Sequence, residues 1–217
     1  MIEHVYRRAA AVAGIADVIV ATDDTRIVEA VTRFGGHAVM TADAHRTGTD
    51  RIAEVARTLI CDIVVNVQGD EPLIEPGMIA QVIAPLRGAD VPMATLRRRL
   101  VDEHEYASPH VVKVVVDRDD NALYFSRAPI PARRDHAGAS FKHIGLYAYR
   151  REFLLEFAAL PQTPLEIAES LEQLRALEHG FRIRTPETVY DSIGVDTPAD
   201  LDRVRRQLQE LPSEART

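Results

Sequence analysis

Ile63-Val64-Val65-Asn66-Val67 constrains the fold of this chain more than any other stretch. The run is β-branched and lacks the alternation of apolar and polar positions that marks a strand with one wet face. It therefore predicts a strand buried on both faces, as in sheets covered by helices on each side. Around it, short β-branched runs alternate with stretches of helical period. Strands are predicted at Asp17–Thr22, His37–Met40, Ile63–Val67 and Pro92–Arg97. Helices are predicted after Met1, over Thr25–Phe34 with Gly35-Gly36 as its stop, over Asp50–Ile60, and over Gly77–Leu86. This grammar predicts an α/β fold with a mainly parallel sheet flanked by helices.

The pattern changes near Val101. His110–Val116 and Ala122–Ser126 read as two strands joined by the turn Asp117-Arg118-Asp119-Asp120-Asn121, a β-hairpin insertion suited to dimer contact. Arg127–Ser140 carries prolines, glycine and charge without periodicity and reads as a mobile loop. A strand over His143–Tyr149, a helix over Glu166–Glu178, a strand over Phe181–Arg184 and a last helix over Pro198–Leu208 complete the chain. Residues 211–217 read as a disordered tail. The 217 residues suffice for one domain with a sizeable core, and one is expected, residues 101–140 being its insertion and loop.

The formal net charge of −7 is spread along the chain, so no basic footprint for nucleic acid is expected. Cys61 is the only cysteine, which excludes an internal disulfide and suits a reducing compartment. The opening YRRAAAVAGIA resembles a leader, but Asp17 interrupts its short apolar core. His4, Val5, Ala9, Val12 and Ala13 recur at helical spacing, so it reads as an amphipathic helix. No apolar stretch approaches the roughly 18 residues of a membrane span. A cytoplasmic protein is expected.

In an open parallel sheet, ligands bind beyond the carboxyl ends of the strands. Thr22-Asp23-Asp24, Gln68-Gly69-Asp70-Glu71 and Gly194-Val195-Asp196-Thr197-Pro198 stand at such ends or before a helix. Aspartates from separate loops supply the hard oxygens that Mg²⁺ prefers, but they equally serve as turn and helix caps. His45-Arg46-Thr47-Gly48-Thr49-Asp50-Arg51 is a Gly-centred turn entering a helix, fit for a polar ring or phosphate, or simply a cap at Thr49. His143, Gly145 and Tyr147 share one face of a strand, with Glu172-Gln173 on a later helix; such groups can hydrogen-bond a hydroxylated anion or be ordinary packed residues. The chain contains no GxGxxG, GxxxxGK[ST], GxSxG or HExxH pattern.

Taken together, VATDD, RTGTDR, VNVQGDEP, VVKVVVD, ALYFSRAPIP, KHIGLYAYR, LEIAESLEQLRALEHG and GVDTPADLDRVR resemble, in order and spacing, the 3-deoxy-manno-octulosonate (Kdo) cytidylyltransferases, also called CMP-Kdo synthetases. The resemblance runs from about Met1 to about Arg206. It implies a homodimeric enzyme with a Rossmann-like nucleotidyltransferase fold that joins Kdo to CTP with Mg²⁺, giving CMP-Kdo and pyrophosphate for lipopolysaccharide assembly. On this analogy Asp70 and Asp196 are the catalytic magnesium ligands, and Thr47, Gly48 and Arg51 line the cytidine pocket. Gln68, Arg127, His143, Tyr147, Glu172 and Gln173 hold the sugar acid.

Members of that family begin with a strand and a loop resembling IPARxxSxRxPGKxL, whose basic groups hold the triphosphate. The present chain starts at the following helix, MIEHVYRRA, so its sheet is expected to lack the first strand. Two alternatives accompany the resemblance: a cytidylyltransferase for another sugar acid, such as 8-amino-Kdo or a sialic acid, or a non-catalytic binding or assembly protein on the same scaffold.

Overall fold

The computed structural model describes residues 1–88, 91–133, 138–191, 194–195 and 197–210. In chain order the first elements are α1 (Ile2–Ala10), β1 (Ile19–Thr22), α2 (Thr25–Arg33), β2 (His37–Met40), α3 (Gly48–Ala56), β3 (Ile63–Asn66) and α4 (Pro76–Ile83), which runs into a 3₁₀ turn over Ala84–Arg87. Then follow β4 (Met93–Arg99), α5 (Glu103–Ala107), β5 (Lys113–Val116), β6 (Ala122–Ser126), β7 (Phe141–Arg150) and α6 (Arg151–Ala159). The chain ends with α7 (Pro164–Glu169), α8 (Gln173–Glu178), β8 (Ile183–Arg184), β9 (Glu187–Thr188) and α9 (Pro198–Glu210). Two compact units emerge: Met1–Cys61 with Asn66–Ala80 and Ser192–Thr217, and Asp62–Val65 with Gln81–Asp191.

In the first unit β1 and β2 pair in parallel, with Ile19 opposite His37 and Thr22 opposite Met40. The amphipathic reading holds at Val5 and Ala9 of α1 and at Val12 just beyond it, all buried, whereas Ala13 is exposed. Val31 of α2 and Ala53, Val55 and Ala56 of α3 are buried as well. Large apolar side chains removed from water in this way contribute about 1.5–3 kcal/mol each. Gly35 ends α2 with a φ of 79°, a left-handed conformation that glycine adopts without the Cβ penalty.

In the second unit seven strands form one sheet in the order β6-β5-β7-β4-β8, with β3 on β7 and β9 on β4. The expected mainly parallel sheet is mixed here, because β7 runs antiparallel to both β4 and β5, whereas β8 and β9 run parallel to β4. The hairpin β5–β6 is present in the expected place. Asp117 holds its turn by accepting the Asp119 and Asn121 N–H groups at 2.8 Å each, and Asp120 takes a φ of 61°. Among the described residues β1 has a strand partner on one side only, and so does β3.

The single helix expected over Glu166–Glu178 is two. Ser170 adopts the left-handed conformation, φ 52° and ψ 49°, and so stops α7 before α8 begins. α5 and α6 carried no expectation: α5 is a single turn capped by Asp102, and Phe153, Leu154 and Phe157 of α6 are all buried. The expected tail at 211–217 lies outside the described residues, as do residues 134–137 of the expected loop.

Candidate active site

In the first unit the polar groups collect where β1 and β2 end. The α3 helix begins earlier than expected: Thr47 is the N-cap, accepting the Asp50 N–H at 3.1 Å, and Gly48 is the first helical residue. That start places Arg51 one turn inside the helix. Its Nη1 donates to Thr41 Oγ1 at 2.6 Å and its Nη2 to Asp23 Oδ2 at 2.7 Å. The Arg51 hydrogen bond holds the Asp23 carboxyl below the usual carboxylate range. Neighbouring Asp24 caps α2 through the Arg26 N–H at 2.8 Å, and its pairing with the Arg26 side chain lowers its pKa to about 2. Glu54 accepts the Ala42 N–H at 3.2 Å and bonds His45, so the loop between β2 and α3 is tied at both ends. Thr47 remains partly exposed and Gly48 exposed, and a Cβ at Gly48 would meet nothing within 4 Å.

Asp70 follows β3 in a tight turn, with the Glu71 N–H donating to the Gln68 carbonyl at 3.3 Å. Its own carbonyl accepts the Val195 N–H at 3.0 Å, which draws the chain just before position 196 to the Asp70 turn. Among the described residues none hydrogen-bonds the Asp70 carboxylate. Asp196 lies outside the described residues, and Gln68 is an exposed residue of the same turn. Thr197 exchanges bonds with Asp200, accepting its N–H at 3.2 Å, so the cap reading of the last helix holds.

In the second unit, half-buried and buried positions of β7 alternate: Phe141, His143, Gly145 and Tyr147 are half-buried, and Lys142, Ile144, Leu146 and Ala148 are buried. His143 thus stands beside Tyr147, ring centroids 5.4 Å apart, with Phe125 edge-on at 5.0 Å. Burial keeps the imidazole neutral, with its pKa down to about 3. Burial first and the Glu172 charge second push the Tyr147 phenol far up, so it stays protonated and able to donate. Glu172 opens α8 and lies 3.6 Å from Arg175; Gln173, 3% exposed, has a buried Nε2 with no hydrogen-bond partner among the described residues. A buried unmet donor costs about 1–3 kcal/mol, which a ligand acceptor recovers.

Arg127 is anchored to the backbone around this group. Its Nε donates to the Glu169 carbonyl at 2.8 Å, Nη1 to the Pro109 carbonyl at 3.2 Å and Nη2 to the Ser170 carbonyl at 3.4 Å. The guanidinium therefore holds the turn between α7 and α8, and one N–H on each terminal nitrogen remains for a ligand. Glu169 returns the grip, accepting the Arg127 N–H at 2.9 Å and the Ser126 hydroxyl at 2.6 Å. Below them Lys113, fully buried, donates to the Ser108, Val111 and Arg127 carbonyls at 2.6–2.7 Å.

Asp23 belongs to the polar cluster Thr22-Asp23-Asp24 that the sequence marks at a strand end. Lys113, Glu169 and Thr95, whose hydroxyl meets His143, carry no such mark. Glu169 and Thr95 act through contacts more than 40 residues apart, and Lys113 reaches Arg127 14 residues on as well as its near neighbours Ser108 and Val111; local patterning carries no signal for such roles.

The cytidylyltransferase family model matches residues 1–183. The chain is 55% identical over 221 residues to the 3-deoxy-manno-octulosonate cytidylyltransferase of Geobacter metallireducens, covering 96% of this chain and 87% of that protein. To the protein of the same name from Syntrophus aciditrophicus it is 57% identical over 211 residues, covering 94% and 85%. A solved structure of CMP:2-keto-3-deoxy-manno-octonic acid synthetase complexed with CTP is similar with a TM-score of 0.93 at 48% identity, over 97% of this chain and 88% of that one. The 4-diphosphocytidyl-2C-methyl-D-erythritol synthase of Anaerococcus prevotii, at a TM-score of 0.63 and 15% identity, shares the fold alone.

Proposed function

Because this chain belongs to the cytidylyltransferase family, we propose that it transfers CMP from CTP to Kdo, releasing pyrophosphate. The observation that carries the reading is the likeness, in fold and in nearly half its residues, to a synthetase solved with CTP. In the reaction the anomeric hydroxyl of the sugar acid forms a bond to the α-phosphorus and loses its proton. The bond from that phosphorus to the bridging oxygen breaks, and the pair of electrons leaves with pyrophosphate. Little covalent work falls to the protein, so its residues act by holding and orienting.

Thr47, Gly48 and Arg51 face the cytidine in this reading, supported by the open backbone at Gly48 and by the tether that fixes Arg51. His143, Tyr147, Glu172 and Gln173, with Gln68, take the hydroxyls and carboxylate of the sugar acid, and Arg127 fixes the turn that presents Glu172 and Gln173. Magnesium belongs to this reading: Asp70 offers a carboxylate that no described residue bonds, and with Asp196 it would be a ligand of the ion, two carboxylates being a donor set that Mg²⁺ completes with water and phosphate oxygens. When bound, Mg²⁺ neutralises charge on the phosphate oxygens and the departing pyrophosphate. The reading includes a homodimer, and action in the cytoplasm, where CTP is available.

Sugar specificity tests the reading. With CTP and Mg²⁺, Kdo is expected to give a CMP-sugar at the highest kcat/KM among Kdo, 8-amino-Kdo and a sialic acid. Preference for either of the other two replaces Kdo as the substrate, and a product from none of them removes the activity.

A further inference from the structure

Thr95 lies inside β4 with no exposed surface, beside a bulge in β7. Thr95 stands opposite Tyr147, whereas the next residue, Leu96, stands opposite Ile144, so the ladder passes over Gly145 and Leu146. A bulge of this kind disrupts the backbone pairing locally and re-aims side chains. Here the Thr95 hydroxyl fills the gap. Its Oγ1 lies 2.9 Å from the Ile144 carbonyl and 2.8 Å from the Leu146 carbonyl, and its third neighbour is His143 Nε2, at 2.9 Å.

A hydroxyl has one proton to give, and carbonyl oxygens only accept. The Thr95 proton therefore goes to the two carbonyls. Turning it to the ring instead would press a hydroxyl oxygen against two carbonyl oxygens at hydrogen-bond distance with no proton between them. The oxygen meets His143 as an acceptor, so Nε2 carries the hydrogen. Because the ring is neutral, Nδ1 is then a bare lone pair. No described residue bonds it. The same face of β7 continues at Gly145, where a Cβ would meet nothing within 4 Å, so the space along this face is open.

We propose that Thr95 is a positioning residue for the sugar substrate: it locks His143 in the Nε2–H form, so that Nδ1 accepts a hydrogen bond from a substrate hydroxyl. The identity of that hydroxyl rests on the Kdo reading; the tautomer does not. A lone pair at this place favours a substrate with a donor there over an analogue with hydrogen or an ether oxygen, because the latter leaves Nδ1 unpaired.

Histidine-¹⁵N NMR on the whole chain tests the lock, with the His143 signals identified by their loss in His143→Gln. The expected wild-type spectrum has a protonated Nε2 and a bare Nδ1 at neutral pH, retained in Thr95→Ser and replaced by a mixture of tautomers in Thr95→Val. A protonated Nδ1 in the wild type overturns the proposal. In turnover, Thr95→Val is expected to raise the Kdo KM roughly tenfold, the worth of one well-placed hydrogen bond, with far smaller changes in kcat and in the CTP KM. Thr95→Ser restores it. Equal losses for Kdo and CTP, or a serine variant no better than valine, overturn the positioning role.

Should Thr95→Val fail to fold, His143→Asn, which places an amide oxygen near the Nδ1 position, is expected to bind Kdo roughly tenfold better than His143→Gln. The reverse order overturns the proposal. A wild-type chain that leaves Kdo unused while showing the expected tautomer sinks the Kdo reading and leaves the lock standing.

Discussion

Arg51 reaches from α3 to the end of β1, where its Nη2 donates to Asp23 Oδ2 at 2.7 Å. The pair joins two segments 28 residues apart and, with the bond to Thr41, fixes the Gly48 turn against the strand ends. Both side chains keep some water contact, so the pair adds little to folding. Its larger effect falls on ligand geometry. Arg51→Ala is expected to raise the CTP KM roughly tenfold, a loss of about 1.4 kcal/mol, with the urea midpoint nearly unchanged. Steady-state kinetics beside urea unfolding check both; a large fall in stability with an unchanged CTP KM contradicts the assignment.

Asp70→Asn keeps the volume of the side chain and removes its charge. Since no described residue hydrogen-bonds the carboxylate, folding should be preserved while kcat falls roughly a hundredfold or more. Near-normal turnover at limiting Mg²⁺ shows that Asp70 is not a ligand.

Lys113 is a buried cation that donates to three backbone carbonyls. Burial lowers its pKa from the usual lysine value. Lys113→Met keeps the stem and strips the donors, leaving the Ser108, Val111 and Arg127 carbonyls unmet. The expected cost is about 3 kcal/mol in urea unfolding. An unchanged midpoint would mean that water replaces the ammonium without loss.

His143 makes stability depend on pH. Its folded pKa is near 3, below the ordinary value of 6.5, so between these values the unfolded chain binds a proton that the folded chain refuses. Its contribution is therefore complete above about pH 6.5 and lost as pH falls towards 3. The urea midpoint of the wild type should drop across this window more steeply than that of His143→Gln. Parallel pH profiles for the two proteins remove His143 as the cause.

Much of the architecture was legible from local pattern. The runs at His37–Met40 and Ala122–Ser126 became strands with the predicted limits, and Gly35 stopped α2 where a left-handed residue was required. The break at Ser170 was not legible, because the residue that bonds the Glu169 and Ser170 carbonyls is Arg127, more than 40 positions earlier and just past β6. The antiparallel course of β7 was missed for a similar reason: strand direction is decided by pairing partners, and the run over Phe141–Arg150 alternates alike either way. Within the site, residue types and order pointed to His143 and Tyr147, but what holds them had no local signature. Thr95 in Met93-Ala94-Thr95-Leu96 reads as an ordinary β-branched strand residue, and its hydroxyl becomes informative only beside the β7 bulge.

The central claim is tested most directly by following CTP, Kdo, Mg²⁺ and the purified chain by ³¹P NMR. The account predicts that CMP-Kdo and pyrophosphate appear in equal amounts, and that neither appears when Kdo or Mg²⁺ is omitted. Pyrophosphate released without Kdo, or no CMP-Kdo from the complete mixture, contradicts it.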